Sequence, residues 1–192
     1  MARTPAHTVR IIGGQWRGRK IAVNSADDLR PTPDRIRETL FNWLAPRIQG
    51  ARCLDLFAGT GALGLEALSR GAGHVTFVER DATTAGSLRQ ALTALDGHAA
   101  AVIHGDALNT AVFPQTSYDV IFVDPPFGAG LHGTTLAAIE SLTTTDTRVY
   151  LEYPATQASE IEQLLPPAWR QLRGKRAGRV GYSLICRGAE QP

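Results

Sequence analysis

The sequence predicts an α/β protein: a mostly parallel, seven-stranded sheet with an antiparallel hairpin at its carboxyl end and a small hairpin-and-helix appendage at its amino end. Three observations carry that reading. Short apolar runs alternate with helical stretches between residues 53 and 164, the rhythm of parallel strands joined by crossover helices. A glycine-rich turn joins the first of those runs to its helix. The tail offers two strands, 169–173 and 179–187, with no helix between them, so that last pair must close antiparallel.

Taken in order, residues 8–12 and 20–23 read as strands joined around 13–19, a hairpin with Trp16, Arg17, Arg19 and Lys20 near its tip. Cations beside an aromatic suit a grip on RNA. Trp16 fits a packing role equally well. Thr32 suits the cap of a helix that starts with Pro33 and runs to Leu44, with Ile36, Leu40, Phe41 and Leu44 as its apolar stripe. Arg30, Arg35 and Arg37 lie at or near its start, where cations oppose the helix dipole and an anionic partner would offset the cost. The main units follow: strand 53–57, helix 62–70, strand 74–79, helix 82–95, strand 99–104, a short helix near 107–112, strand 118–123, helix 133–142, strand 147–153 and helix 156–164. Gly174 to Gly178 separate the two final strands. A length of 192 residues suits one α/β domain, 31–192, carrying a basic hairpin extension, 1–30.

Two elements carry chemistry. Gly59, Gly61 and Gly64 sit in a strand-to-helix turn. The first two tolerate positive φ and let a ligand approach the backbone, and the third lets helix and strand pack closely. Glu79 lies twenty positions beyond Gly59 and ends the next strand, where an acidic side chain bonds a ribose diol. A nucleoside-bearing cofactor is expected. Asp55, just ahead of the turn, would repel a dinucleotide's pyrophosphate but attract the ammonium and sulfonium groups of S-adenosylmethionine, so charge favours that methyl donor over a nicotinamide cofactor.

The second element is Asp124-Pro125-Pro126-Phe127, at the carboxyl end of the strand at 118–123. Open α/β sheets bind ligands at that end. The two prolines stiffen the chain and remove two donors, so the Asp124 carboxylate and the Pro125 carbonyl form a rigid acceptor pair for an amine with two hydrogens. Acceptors on both hydrogens turn the conjugated lone pair of a base's amine toward a methyl group, and Phe127 is placed to stack on that base. On its own the stretch also fits an ordinary strand-ending turn with Phe127 in the core. Residues 128–133 form a small, glycine-rich loop, suited to closing over a substrate or to a plain connection.

On the stretches IIGGQWRGRK (11–20), LRPTPDRIRETLFN (29–42), CLDLFAGTGALGLEALSRG (53–71) and VIFVDPPF (120–127), the chain resembles the RsmD family of 16S ribosomal RNA guanine-N(2) methyltransferases, Rossmann-like class I enzymes that use S-adenosylmethionine. The last two stretches are shared by many amino-methyltransferases, and the first two point to this family. The resemblance implies that Asp55, Phe57, Gly59, Gly61, Glu79 and Arg80 line the cofactor site. It further implies that Asp106 and Ala107 approach the adenine, and that Asp124, Pro125, Pro126 and Phe127 hold the guanine amine. Arg10, Trp16, Arg17, Arg19, Lys20, Arg30 and Arg35 would meet 16S ribosomal RNA, free or within an assembling or assembled small subunit. The chain departs from the family pattern in the loop after Phe127, which lacks arginines, and at Pro33, where a second threonine is expected. Two other readings share the same residues: an adenine amino-methyltransferase acting on DNA, and a noncatalytic RNA-binding assembly factor.

Charge is distributed unevenly. Residues 1–50 carry a net +5, residues 51–170 a net −7 and residues 171–192 a net +4. Basic ends around an acidic middle suit a nucleic-acid enzyme whose flanks meet phosphates. With only two lysines among the twenty cations, many arginines also fit solvated faces. No apolar run is long enough to span a bilayer and no signal-peptide core is evident, so a cytoplasmic protein is expected. Cys53 and Cys186 lie far apart in apolar strands and read as buried thiols, and the five histidines show no ligand pairing, so no metal is expected.

Overall fold

The computed structural model describes residues 6–24, 32–112 and 114–188. The amino-terminal hairpin pairs β1 (Ala6–Arg10) with β2 (Lys20–Asn24), with Arg10 opposite Lys20. Helix α1 (Asp34–Leu44) follows. Then come β3 (Arg52–Asp55), α2 (Ala62–Ser69), β4 (His74–Glu79), α3 (Ala82–Ala94) and β5 (Ala100–His104). The second half holds β6 (Val120–Val123), α4 (His132–Ile139), β7 (Arg148–Pro154), α5 (Ala158–Leu164), β8 (Trp169–Ala177) and β9 (Val180–Arg187).

Seven strands form one sheet in the order β5-β4-β3-β6-β7-β9-β8. β5 through β7 run parallel, and β9 enters antiparallel to both β7 and β8. The class predicted from sequence is therefore the one observed. From β3 the chain winds outward through β4 to β5, then returns to lay β6 on the other side of β3. That reversal between β3 and β6 opens a crevice at their carboxyl ends.

Both faces of the sheet are covered, which is why its central strands read as unbroken apolar runs. Cys53, Phe77, Phe122 and Tyr150 point into a core shared with α1, α2, α3 and the hairpin residues Ile11, Trp16, Ile21 and Val23. Leu54, Ile121, Val123 and Leu151 point the other way, against Leu136 and Ile139 of α4 and Ile161 of α5. Cys53 and Cys186 are buried free thiols.

Several local expectations shift. Pro33 is the N-cap of α1, with no side-chain cap bond, rather than its first helical residue, and Thr32 turns its hydroxyl elsewhere. α4 begins at His132, so His132 and Gly133 are helical and the loop after Phe127 ends at Leu131. The predicted helix near 107–112 contracts to a 3-10 turn, Thr110–Val112. Gly174 lies inside β8, because a bulge between Gln171 and Arg173 lets the strand continue to Ala177, leaving only Gly178, at φ +61°, and Arg179 to turn the chain. Among the described residues, no helix is long and apolar enough to cross a membrane.

Candidate active site

The crevice between β3 and β6 is built first by the glycine turn. Gly59 and Gly61 have φ of +50° and +75°, as expected for a turn that strains any other L-residue. A Cβ on Gly64 would lie 2.1 Å from the Phe77 ring, so the third glycine lets α2 lie directly on β4. Two carboxylates lock the turn. Asp55 Oδ2 accepts the Gly64 N–H at 3.0 Å, and Glu79 Oε2 accepts the Gly59 N–H at 2.8 Å. These donors belong to the start of α2 and its approach, which have no intrahelical partner to satisfy them. Glu79 Oε1 also accepts the Asp81 N–H at 2.8 Å. Glu79 thus shapes the turn, and each oxygen keeps a second lone pair.

The other predicted cofactor residues surround the same strand ends. Phe57, half-buried, follows β3, and exposed Arg80 follows β4. The Arg80 carbonyl lies 3.0 Å from His104 Nε2 at the end of β5. Asp106 is exposed, its Oδ1 accepting the Leu108 N–H at 2.9 Å, while Ala107 beside it is buried.

Asp124 stands one residue past the end of β6, next to this turn. Pro125 is buried, whereas Pro126 and Phe127 are exposed, Phe127 by 51%. The alternative with Phe127 in the core is thereby excluded. Among the described residues no donor reaches the Pro125 carbonyl. Thr32 Oγ1 donates to Asp124 Oδ2 at 3.2 Å.

A further carboxylate, missed in the sequence, completes the group. β6 and β7 pair Val123 with Leu151, so Glu152, still within β7, is the next residue beside Asp124. Glu152 is buried and accepts the Tyr150 hydroxyl at 2.7 Å. A charged residue within the apolar run of β7 was the available signal. Burial pushes the Asp55 carboxyl up to about 7, the Gly64 N–H opposing this, with Asp124 and Glu79 adding repulsion. Burial likewise raises Asp124 above the ordinary carboxylate range against the Thr32 hydrogen bond, although its side chain remains partly open, and raises Glu152, with repulsion from Asp124. The Tyr150 phenol is driven well above its usual value by burial and by Glu152. Among the described residues these carboxyls are answered by neutral donors and no cation, a set that fits a positively charged ligand and opposes a pyrophosphate.

The predicted RNA-facing residues divide. Arg10, Arg17, Arg19, Lys20 and Arg35 are exposed, and Arg19 Nη2 donates to the last carbonyl of α3, Ala94, at 2.7 Å. Trp16 is not available for stacking on a base: it is 8% exposed, packed in the core beneath the hairpin tip, with its backbone N–H donating to Ser69 Oγ at 2.9 Å. Arg30 lies outside the described residues. Arg37 is buried rather than turned toward an external anion. Its guanidinium bonds Asp34 Oδ1 at 2.6 Å, the Arg10 carbonyl at 2.8 Å and the Thr32 carbonyl at 3.1 Å, and reaches Glu66 Oε2 at 3.5 Å. Among the described residues no cluster of three or more His, Cys, Asp or Glu is arranged to hold a metal ion.

A protein-family model described as "Conserved hypothetical protein 95" matches residues 9–186. The ribosomal RNA small subunit methyltransferase D of Escherichia coli K12 is 46% identical over 187 residues, covering 95% of this chain and 91% of that protein. The chain belongs to the RsmD family. A second RsmD-family relative, from Haemophilus influenzae and of the same name, is 42% identical over 182 residues, covering 92% of each. The solved structure of Escherichia coli yhhF superposes with a TM-score of 0.84 at 43% identity, over 96% of this chain and all (100%) of that one. The Thermus thermophilus 16S rRNA N2 G1207 methyltransferase, solved with AdoMet and guanosine, gives a TM-score of 0.72 at 22% identity, over 96% of this chain and 50% of that one, and shares the fold.

Proposed function

We propose that this chain transfers a methyl group from S-adenosylmethionine to the exocyclic amine of a guanine in 16S ribosomal RNA of the small subunit. The observation that carries the reading is the placement of Asp124 and Phe127 at the end of β6, beside the carboxylate-locked glycine turn. The names of the RsmD-family relatives support the substrate class.

Asp55, with Glu79 and the backbone of Gly59 and Gly61, would hold the cofactor. Carboxylates met only by neutral donors among the described residues fit its ammonium and sulfonium charges, and Asp106 and Ala107 flank the adenine position. S-adenosylmethionine supplies an electrophilic methyl group. Asp124 and the Pro125 carbonyl accept hydrogen bonds from the two amine hydrogens and orient the nitrogen lone pair, a positioning effect that needs no covalent enzyme intermediate; as the new N–C bond replaces the donor's S–C bond, the nitrogen would release one proton to water. Phe127, exposed at the mouth, stacks on the base, which must already be unstacked from its neighbours to reach it. Arg10, Arg17, Arg19, Lys20 and Arg35 meet phosphates.

Transfer of labelled methyl groups to unmodified small subunits, free ribosomal RNA and duplex DNA tests this. Label in a guanine of the small-subunit RNA is expected, and label confined to DNA would favour the adenine alternative. Asp124→Ala should lower transfer by on the order of 1,000-fold or more while S-adenosylmethionine binding by calorimetry stays within a few-fold. Transfer at wild-type rate by that variant would overturn the assignment of Asp124.

A further inference from the structure

Thr32 is only 6% exposed, and its hydroxyl donates to Asp124 Oδ2 across 92 positions of sequence. The residue is itself pinned. Its carbonyl accepts Arg37 Nε at 3.1 Å, and the same guanidinium holds the Arg10 carbonyl at 2.8 Å and Asp34 at 2.6 Å. Arg37 is 2% exposed, so this frame lies inside the protein and joins the loop end of β1, at Arg10, to the end of β6.

We propose that Thr32 is a positioning residue for the methyl-acceptor site: its hydroxyl fixes the rotamer of the Asp124 carboxylate and leaves the other carboxylate oxygen to take an amine hydrogen. This rests on the function proposed above. A carboxylate that rotates freely presents its oxygens to the amine in many directions, and one held at Oδ2 presents Oδ1 in one. The bond also favours the ionised, acceptor-only form of Asp124 against its surroundings. Those surroundings are the Asp55 carboxyl on β3, the Glu152 carboxyl and Tyr150 phenol on β7, and, on the α1 side behind Thr32, Arg37. Thr32, two residues ahead of α1, is therefore part of the reaction pocket.

Thr32→Val removes the hydroxyl at nearly constant volume, and Thr32→Ser keeps it. Both variants are compared with wild type by single-turnover methyl transfer to unmodified small ribosomal subunits and by calorimetric binding of S-adenosylmethionine. For Thr32→Val the expected result is a fall in the transfer rate on the order of 10- to 100-fold, with cofactor affinity and KM for subunits within about twofold. The acidic limb of its pH-rate profile should move to higher pH, because Asp124 loses a bond that favours ionisation. Thr32→Ser should regain most of the rate and the original limb. A wild-type rate in Thr32→Val, or a Thr32→Ser variant as slow as Thr32→Val, overturns the role of Thr32 alone. Absence of transfer by the wild-type protein to ribosomal RNA overturns the function it rests on, and this inference with it.

Discussion

Two groups of buried carboxylates lie at opposite ends of α2, and they are answered differently. Glu66, fully buried near the helix's carboxyl end, receives the Ile12 and Gly13 N–H groups at 2.8 Å each and Arg70 Nε at 2.7 Å, with Arg37 Nη1 at 3.5 Å. Asp55, beside the helix's amino end, has one backbone N–H, and its neighbours Asp124 and Glu152 have a hydroxyl and a phenol. The first group has its cations inside the fold and serves to hold the hairpin. The second has acceptors in excess of positive charge, which is what a site for a cationic cofactor and a hydrogen-donating amine requires.

The contrast predicts opposite outcomes for removing charge. Glu66→Ala leaves the Ile12 and Gly13 N–H groups and the Arg70 guanidinium without their shared acceptor, while Arg37 keeps Asp34, and should cost about 3–5 kcal/mol in urea unfolding. A loss below about 1 kcal/mol would show that the cluster is not structural. Asp55→Asn keeps an acceptor for the Gly64 N–H and removes a repelled charge. Its unfolding free energy should hold steady or rise, while S-adenosylmethionine affinity at pH 8 falls about 10- to 100-fold by calorimetry; unchanged affinity would break the comparison.

Proton linkage should show the next largest effect. The Asp55 carboxyl titrates near 7 in the folded protein, above its ordinary 3.8. A raised carboxyl binds its proton more tightly when folded, so its contribution to stability is present below about 4 and is lost as pH rises toward 7. A cationic cofactor selects the ionised form, so below pH 7 its binding should release protons and weaken by at most about tenfold per pH unit. Calorimetry in buffers of different ionisation enthalpy measures that release, and the Asp55→Asn variant should show less of it. The smallest effect belongs to the exposed cations. Arg17→Ala should weaken RNA binding only a few-fold and flatten the salt dependence by about one unit of slope, with stability unchanged.

The glycine turn, Asp55, Glu79 and the Asp124 to Phe127 stretch were legible because each depends on local backbone geometry that leaves a mark in neighbouring residues. The parallel pairing of the main strands followed from the alternation of elements. What was not legible depends on partners far along the chain. Thr32 carries the local signature of a cap, but Pro33 takes that position and the threonine hydroxyl finds Asp124 instead. Arg37 looked like a surface cation at a helix start, and its burial follows from Glu66, 29 positions on. Trp16 had even claims as a packing or a stacking residue, and only its bond to Ser69 and its place beneath the hairpin tip decide between them. Gly174 suggests a turn, yet a bulge two residues earlier allows the strand to pass through it.

The docking of the hairpin also bears on the order in which the molecule assembles. Its locking bonds, from Ile12, Gly13 and Trp16 to Glu66 and Ser69, span 53 or 54 positions. A two-stranded hairpin is marginal in water by itself, and contacts this distant close late. On the ribosome that makes this chain, β1 and β2 therefore emerge before the helix that holds them, and the basic tip takes its final shape only after α2 has formed.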